Sequence, residues 1–213
     1  MVSKVSFIGL GVMGFPMAKH LQESGYSTTV YNRTESRAHD WVSQYGGSTA
    51  STPTAAADGS EIVFICVGDD EDVRSVVYGD TGVLVGMSPG SVLVDHTTAS
   101  ATVAKEIAEV AKKQDVEFID APVSGGQAGA ENGQLTVMCG GNSDVFANVE
   151  PVISCYAKAV NLIGPVGSGQ TTKMVNQICI AGLVQGLSEG LDFGRRAGLD
   201  MEKVLAAISQ GAS

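Results

Sequence analysis

The sequence predicts an α/β fold in which a doubly wound, mostly parallel sheet leads into a long helix and the start of an all-helical domain. Short β-rich runs alternate with helical stretches through the first three quarters of the chain, a glycine-rich turn follows the first run at once, and no strand run appears after about Gly167. The runs are Val5 to Ile8, Ser27 to Tyr31, Glu61 to Val67, Ser91 to Val94, Val116 to Ile119, Leu135 to Cys139 and Val160 to Ile163. Gly25 closes the first intervening helix as a left-handed C′ residue. Thr52-Pro53 offers an N-cap with proline at the first helical position. Asp69, Asp70, Glu71 and Asp72 read as the solvated start of a helix whose dipole they favour. Ser100 caps Ala101 to Gln114, which carries Val103, Ile107, Val110 and Ala111 on one face. Thr171 to Ala197 reads as one helix of about 40 Å. Asp200 caps another helix, whose apolar face of Val204, Leu205 and Ile208 finds no partner in the remaining sequence. The expected division is therefore 1–164 for the sheet domain and 165–213 for the long helix and an incomplete helical domain, a fragment or a core completed by oligomerisation.

Composition narrows the function. Over 213 residues, 44% are hydrophobic and 17% charged, which excludes a disordered chain; 27 glycines without a collagen period fit a fold rich in turns. A net charge of −10 disfavours phosphate-backbone binding, so no nucleic-acid partner is expected. Cys66, Cys139, Cys155 and Cys179 form no CxxC pair and have no histidine cluster nearby; no metal site is expected, and they read as buried thiols of a reducing compartment. Gly9, Gly11, Gly14 and Pro16 interrupt the apolar N-terminal stretch, which favours folded structure over a signal peptide, and the other apolar runs are too short for a membrane span. A soluble cytoplasmic protein is expected.

The turn after the first run is Gly9-Leu10-Gly11-Val12-Met13-Gly14, opening a helix through Ala18 and Leu21. One glycine allows the tight turn, the next lets the backbone approach a pyrophosphate, and the third lets helix pack on strand, with the phosphates at the helix N-terminus. Strand, motif and helix in this order predict a Rossmann-type dinucleotide site. An NAD-selective site carries an acid about 20 residues past the glycines. Here the second run ends in Asn32-Arg33-Thr34 instead. Arg33 offers a planar donor fork for a 2′-phosphate, and Thr34 offers a further donor or a helix cap, so NADP is preferred, with NAD possible. The alternative is that Arg33 is a solvated loop residue, with Arg37 in its place.

A second set of polar residues follows later strands. Ser124-Gly125-Gly126, after Asp120-Ala121-Pro122-Val123, exposes backbone N–H groups beside a hydroxyl, which suits a carboxylate or forms a plain turn. Gly167-Ser168-Gly169-Gln170-Thr171-Thr172-Lys173 leads into the long helix, and Asn176 and Gln177 share a face with Lys173. With Ile178, Ile180 and Leu183 following, this reads as a polar cluster on a partly buried face, where burial would lower the lysine from about 10.4 towards 7–8. His20 and His39 read as surface residues and His96 as a packing or polar-network residue.

Together, the glycine motif followed by Phe15-Pro16-Met17-Ala18, the Asn32-Arg33-Thr34 turn, Asp120 to Gly126, and the Gly167 to Gln177 segment resemble the β-hydroxyacid dehydrogenase family, which includes 3-hydroxyisobutyrate dehydrogenases and tartronate semialdehyde reductases. Val94-Asp95-His96-Thr97-Thr98 stands where that family carries a threonine beside the nicotinamide. The resemblance spans the chain and implies an NADP-dependent dehydrogenase or reductase of a small β-hydroxyacid or its semialdehyde, with Lys173 as general acid/base. It implies that Ser124, Gly125 and Gly126 hold the substrate carboxylate and that Asn176 or Gln177 binds its hydroxyl or carbonyl; relatives commonly carry asparagine where this chain has Gln177. The cofactor contacts it implies are Gly9, Leu10, Gly11, Val12, Met13, Gly14, Asn32, Arg33, Thr34, Val67, Gly68 and Thr97. It also implies a homodimer or homotetramer built through the helical domain. The competing expectations are an imine reductase, which generally replaces the lysine, and a non-catalytic cofactor-binding protein of the same fold.

Overall fold

A computed structural model describes residues 2–211; the outer limits of the two expected domains, residues 1 and 213, lie outside the described residues. In chain order the elements are β1 (Lys4–Ile8), α1 (Gly14–Glu23), β2 (Ser27–Tyr31), α2 (Glu35–Tyr45), β3 (Ser48–Thr49), α3 (Pro53–Ala57), β4 (Ile62–Ile65), α4 (Asp70–Val77), α5 (Val83–Gly86) and β5 (Val92–Asp95). They continue with α6 (Ala101–Lys112), β6 (Glu117–Asp120), β7 (Val123–Ser124), α7 (Gly126–Glu131), β8 (Leu135–Gly140), α8 (Ser143–Ile153), β9 (Ala157–Gly164), α9 (Ser168–Arg196) and α10 (Met201–Ile208). Every expected run is a strand. The two the sequence did not predict, β3 and β7, are two residues long, too short for a period-2 pattern.

The sheet runs β3-β2-β1-β4-β5-β6-β8-β7, with β9 on β8. Pairing is parallel from β3 to β6; β8 is antiparallel to β6 and β7 and parallel to β9. Side chains of the central strands alternate between two cores. Val5, Phe7, Ile62, Phe64 and Val94 join Met17, Leu21, Trp41 and Val149 of α1, α2 and α8 on one face. Ile8, Val63, Ile65 and Leu93 join Ala56, Val73, Leu84 and Ile107 of α3 to α6 on the other. Burial on both faces explains why Ile62–Ile65 is a continuous apolar run. It also shows that the apolar N-terminal stretch belongs to the core as β1 and α1.

The predicted caps form. Thr52 accepts the N–H of Ala55 at 3.1 Å, Ser100 that of Val103 at 3.0 Å, and Asp200 that of Glu202 at 3.1 Å. Gly25 has φ of 93°.

Three expectations are corrected. The acidic run is not merely solvated: Asp69 caps α4 through the N–H groups of Glu71 and Asp72, while Asp70 accepts the N–H of Ser100 at 2.7 Å and so ties α4 to α6. The Ser100 hydroxyl, which also donates to Asp70, and the Ser100 N–H hold that carboxyl below its usual range. His20 is half-buried and bonds the Ala130 carbonyl at 3.0 Å, joining α1 to the end of α7. Of the four cysteines only Cys139 is fully buried; Cys66 and Cys155 are half-buried, and Cys179 on α9 is exposed.

The chain divides into two compact units between Lys173 and Met174. The second unit holds the rest of α9 and α10. Within it Ile178 and Leu183 are 71% and 72% exposed. The partly buried face expected after Lys173 is therefore not formed by these residues. No described helix is long and apolar enough to cross a membrane.

Candidate functional site

Strand order reverses between β1 and β4, and a crevice outside the C-terminal ends of the strands at such a switch point is where open α/β sheets bind ligands. A cleft of about 600 Å³ opens there. Gly9 through Gly14, Asn32 through Thr34, Val67 and Gly68 all line it, so of the residues predicted to meet a cofactor only Thr97 stands back.

The three glycines divide the work as their spacing predicted. Gly9 sits at φ of 96°, where a side chain is strained, and a Cβ there would run into the Cys66 carbonyl. A Cβ on Gly14 would run into the Gly9 carbonyl and stand 2.8 Å from the Phe7 ring, which is close helix-on-strand packing. A Cβ on Gly11 would meet nothing within 4 Å. Its freedom from side-chain atoms leaves the backbone open to an approaching group. At the start of α1 the N-cap residue Met13 makes no side-chain cap, and no acid occupies the first turn. The Phe15 N–H is taken by the Gly11 carbonyl and Pro16 has none, so the helix start offers a pyrophosphate the positive end of its dipole, clear of any capping side chain.

The loop is held by side chains from the end of β2. The Asn32 amide oxygen accepts the Leu10 N–H at 2.9 Å, and its NH2 donates to the Thr34 carbonyl at 3.0 Å. The Arg37 Nε donates to the Leu10 carbonyl, and its guanidinium lies 5.5 Å from the centre of the Phe15 ring. Asn32 and Arg37 thus shape the loop. Arg33 reaches into the cleft mouth with its side chain 86% exposed and pairs with Asp72 of α4 at 3.2 Å. Thr34 occupies the N-cap position of α2 without a side-chain cap bond.

Beyond the cleft, the ends of β4, β5 and β6 are tied together. The Thr97 hydroxyl oxygen accepts the Val67 N–H at 3.1 Å, and the Thr97 N–H donates to Asp95 at 2.9 Å. The Gln170 NH2 donates to the Thr97 carbonyl at 2.7 Å, and its amide oxygen accepts the Ala99 N–H at 3.1 Å. Buried Asp120, at the end of β6, accepts the N–H groups of Gly167 at 2.7 Å and Gln170 at 2.9 Å. A carboxylate 47 residues upstream thereby caps α9, so the helix starts at Ser168 and not at Thr171.

One turn after Gln170, Lys173 is 9% exposed, carries no ion pair among the described residues, and has its pKa lowered by burial. Ser124 pairs with Thr136 in the sheet, and Gly125 and Gly126 follow at φ of 130° and 61°, so the predicted turn exists and requires glycine. Asn176 and Gln177 belong to the second unit, where the Asn176 NH2 donates to the Gln177 oxygen at 3.2 Å.

Asp72, Asp95, Asp120 and Gln170 were not singled out as site residues by sequence reasoning. The roles of Asp72, Asp120 and Gln170 come from partners 39 or more residues away, whereas Asp95 bonds Thr97 two residues on; the local signal was that Asp95 and Asp120 each end an apolar strand. Asp95 is buried with its second oxygen unpartnered among the described residues. Burial, with repulsion from Asp120 and Asp70, pushes its carboxyl up to about 7. His96 behaves as expected of a packing residue. It stacks on Phe64 at 5.7 Å, and burial lowers its pKa to about 4. Its Nδ1 lies 2.7 Å from the Ala121 carbonyl, which can only accept, so the neutral ring carries its proton there and accepts from the Tyr156 hydroxyl at Nε2, 2.8 Å away.

A family model describing the NAD binding domain of 6-phosphogluconate dehydrogenase matches residues 4–164, and one describing the NAD-binding region of NADP-dependent 3-hydroxyisobutyrate dehydrogenase matches residues 167–213. A probable 3-hydroxyisobutyrate dehydrogenase-like protein of Arabidopsis thaliana is 42% identical over 99% of this chain and 70% of its own length. The chain belongs to the β-hydroxyacid dehydrogenase family. An uncharacterized oxidoreductase of Shewanella frigidimarina is 61% identical over 100% of the chain and 73% of its own length. Among solved structures, Mycobacterium tuberculosis 3-hydroxyisobutyrate dehydrogenase with L-serine superposes with a TM-score of 0.90 at 26% identity, covering 100% of this chain and 72% of that one. This family member is an NAD(P)-dependent oxidoreductase of the 3-hydroxyisobutyrate dehydrogenase type.

Proposed function

We propose that this protein transfers hydride between NADP(H) and a small carboxylated β-hydroxyacid or its semialdehyde, with Lys173 moving the proton. The observation that carries the reading is the setting of Lys173. It is a buried lysine with no counter-carboxylate among the described residues, on the first turns of a helix that Asp120 and Gln170 fasten to the ends of β5 and β6.

Bound NADPH supplies the hydride for the carbonyl carbon. Lys173 holds the accompanying proton on Nζ and delivers it to the carbonyl oxygen; in the oxidative direction the neutral amine takes the hydroxyl proton back. Burial favours the neutral amine and brings the lysine nearer to neutral pH, where it can act in both directions. Ser124, Gly125 and Gly126 hold the substrate carboxylate, and Asn176 or Gln177 its hydroxyl or carbonyl. Gly9 through Gly14, Asn32, Thr34, Val67, Gly68 and Thr97 hold the cofactor, and Arg33 takes the 2′-phosphate. Residues 1–164 form the cofactor domain and 165–213 the start of the helical domain, through which the protein forms a homodimer or homotetramer.

The test is NADPH oxidation against a panel of short semialdehydes, each with and without its carboxylate, alongside cyclic imines. Turnover of the carboxylated semialdehydes alone supports the reading. Turnover of imines alone contradicts it in favour of an imine reductase, and NADPH binding without any turnover favours a non-catalytic binding protein.

A further inference from the structure

We propose that Asp72 sets how sharply the cleft distinguishes NADP(H) from NAD(H), by competing with the 2′-phosphate for Arg33. The inference rests on the reading of Arg33 as the 2′-phosphate partner and adds a residue that works against it. Arg33 and Asp72 line opposite sides of the cleft mouth, one from the end of β2 and the other from the first turn of α4, and their side chains meet at 3.2 Å.

The two partners are not equally free. The Asp72 backbone N–H is bound by Asp69, its side chain is only 34% exposed, and its carboxylate lies where a Cβ on residue 68 would be, a space left by Gly68. Arg33, at 86% exposure, is the partner that swings. Arg37 does not replace it in the pair, because its Nε is bound to the Leu10 carbonyl.

The two cofactors meet this pair differently. NAD(H) presents a neutral 2′-hydroxyl, so the pair persists on binding. NADP(H) presents a 2′-phosphate that draws the guanidinium away and leaves Asp72 as an unpaired acid beside a new anion. Separating the pair and adding like charges both weaken NADP(H) binding and leave NAD(H) binding alone. Asp72 therefore narrows the preference that Arg33 creates.

The test is a fluorescence titration of the wild type, Asp72→Asn and Arg33→Ala with NADPH and NADH, with adenosine 2′,5′-bisphosphate as a competitor that carries the 2′-phosphate but no nicotinamide. Asp72→Asn is expected to tighten NADPH and the bisphosphate about two- to fivefold, the range of an exposed ion pair, while NADH is unchanged. Asp72→Ala should give the same shift, and Asp72→Asn on an Arg33→Ala background none. Unchanged NADPH affinity in Asp72→Asn overturns the inference. So does a weakening of NADH, which would make Asp72 a ribose ligand. The arginine variant separates the two readings. If Arg33→Ala weakens NADPH about tenfold and Asp72→Asn does nothing, only the present inference fails; if Arg33→Ala spares NADPH, the 2′-phosphate reading fails and takes this one with it.

Discussion

Around the pyrophosphate-facing loop, Gly9 and Gly14 lie so close to neighbouring main chain that a single methyl group would collide with it. The first turn of α9, by contrast, hangs on side chains: the Asp120 carboxylate reaches it from the end of β6, and the Gln170 amide reaches from it to the segment after β5. One half of the candidate site is fixed by steric exclusion at the glycines of one short motif and the other by buried charge and hydrogen bonds over long sequence separations. Substitutions in the two halves should therefore fail in different ways.

The largest expected effect is on rate. Lys173→Ala should lower turnover by about 10²–10⁴-fold while leaving NADPH affinity within about twofold, read by steady-state kinetics and titration on the same sample. In the glycine loop, Gly14→Ala should destabilise the fold by about 3 kcal/mol in urea unfolding, because its Cβ has backbone on one side and the Phe7 ring on the other. Gly11→Ala sharpens the contrast: with nothing within 4 Å of its Cβ it should leave stability unchanged and weaken NADPH. Equal losses of stability in the two variants would break the steric account.

Asp120→Asn should cost about 1–3 kcal/mol, since an amide cannot accept as strongly from both Gly167 and Gln170, and hydrogen exchange should accelerate first in the opening turn of α9.

The smallest effect is in pH dependence. Asp95 has its folded pKa raised to about 7, above the value of about 3.9 for an unfolded chain. The folded state thus holds the proton more tightly, and this group's contribution to stability falls as pH rises between about 4 and 7. His96, lowered to about 4, works in the opposite sense: its contribution is lost as pH falls from about 6.5 to about 4. Asp95→Asn should therefore gain on the wild type by about 1.4 kcal/mol on going from about pH 6 to about pH 8. Melting curves that run parallel at both pH values would refute the titration assigned to Asp95.

The two halves also differed in how far the sequence could be read. The positions of the seven longer strands followed from apolar runs and turn residues, and the glycine spacing gave the cofactor loop because its mechanics are local. The start of α9 was misplaced by three residues because its cap is Asp120, which no local pattern announces. Lys173 was legible as a residue in a motif, but its burial depends on contacts at a range the sequence does not display. Arg33 was legible as a donor fork, whereas its pairing with Asp72 became visible only when β2 and α4 met across the cleft.

The most direct test of the account is the pH dependence of turnover in both directions. With Lys173 as the group that carries the proton, reduction should slow and oxidation should quicken as pH rises through one shared apparent pKa, lying below the ordinary lysine value because the amine is buried. Loss of that limb in Lys173→Met would complete the case. A profile with no such limb, or one that survives unchanged in Lys173→Met, would contradict it.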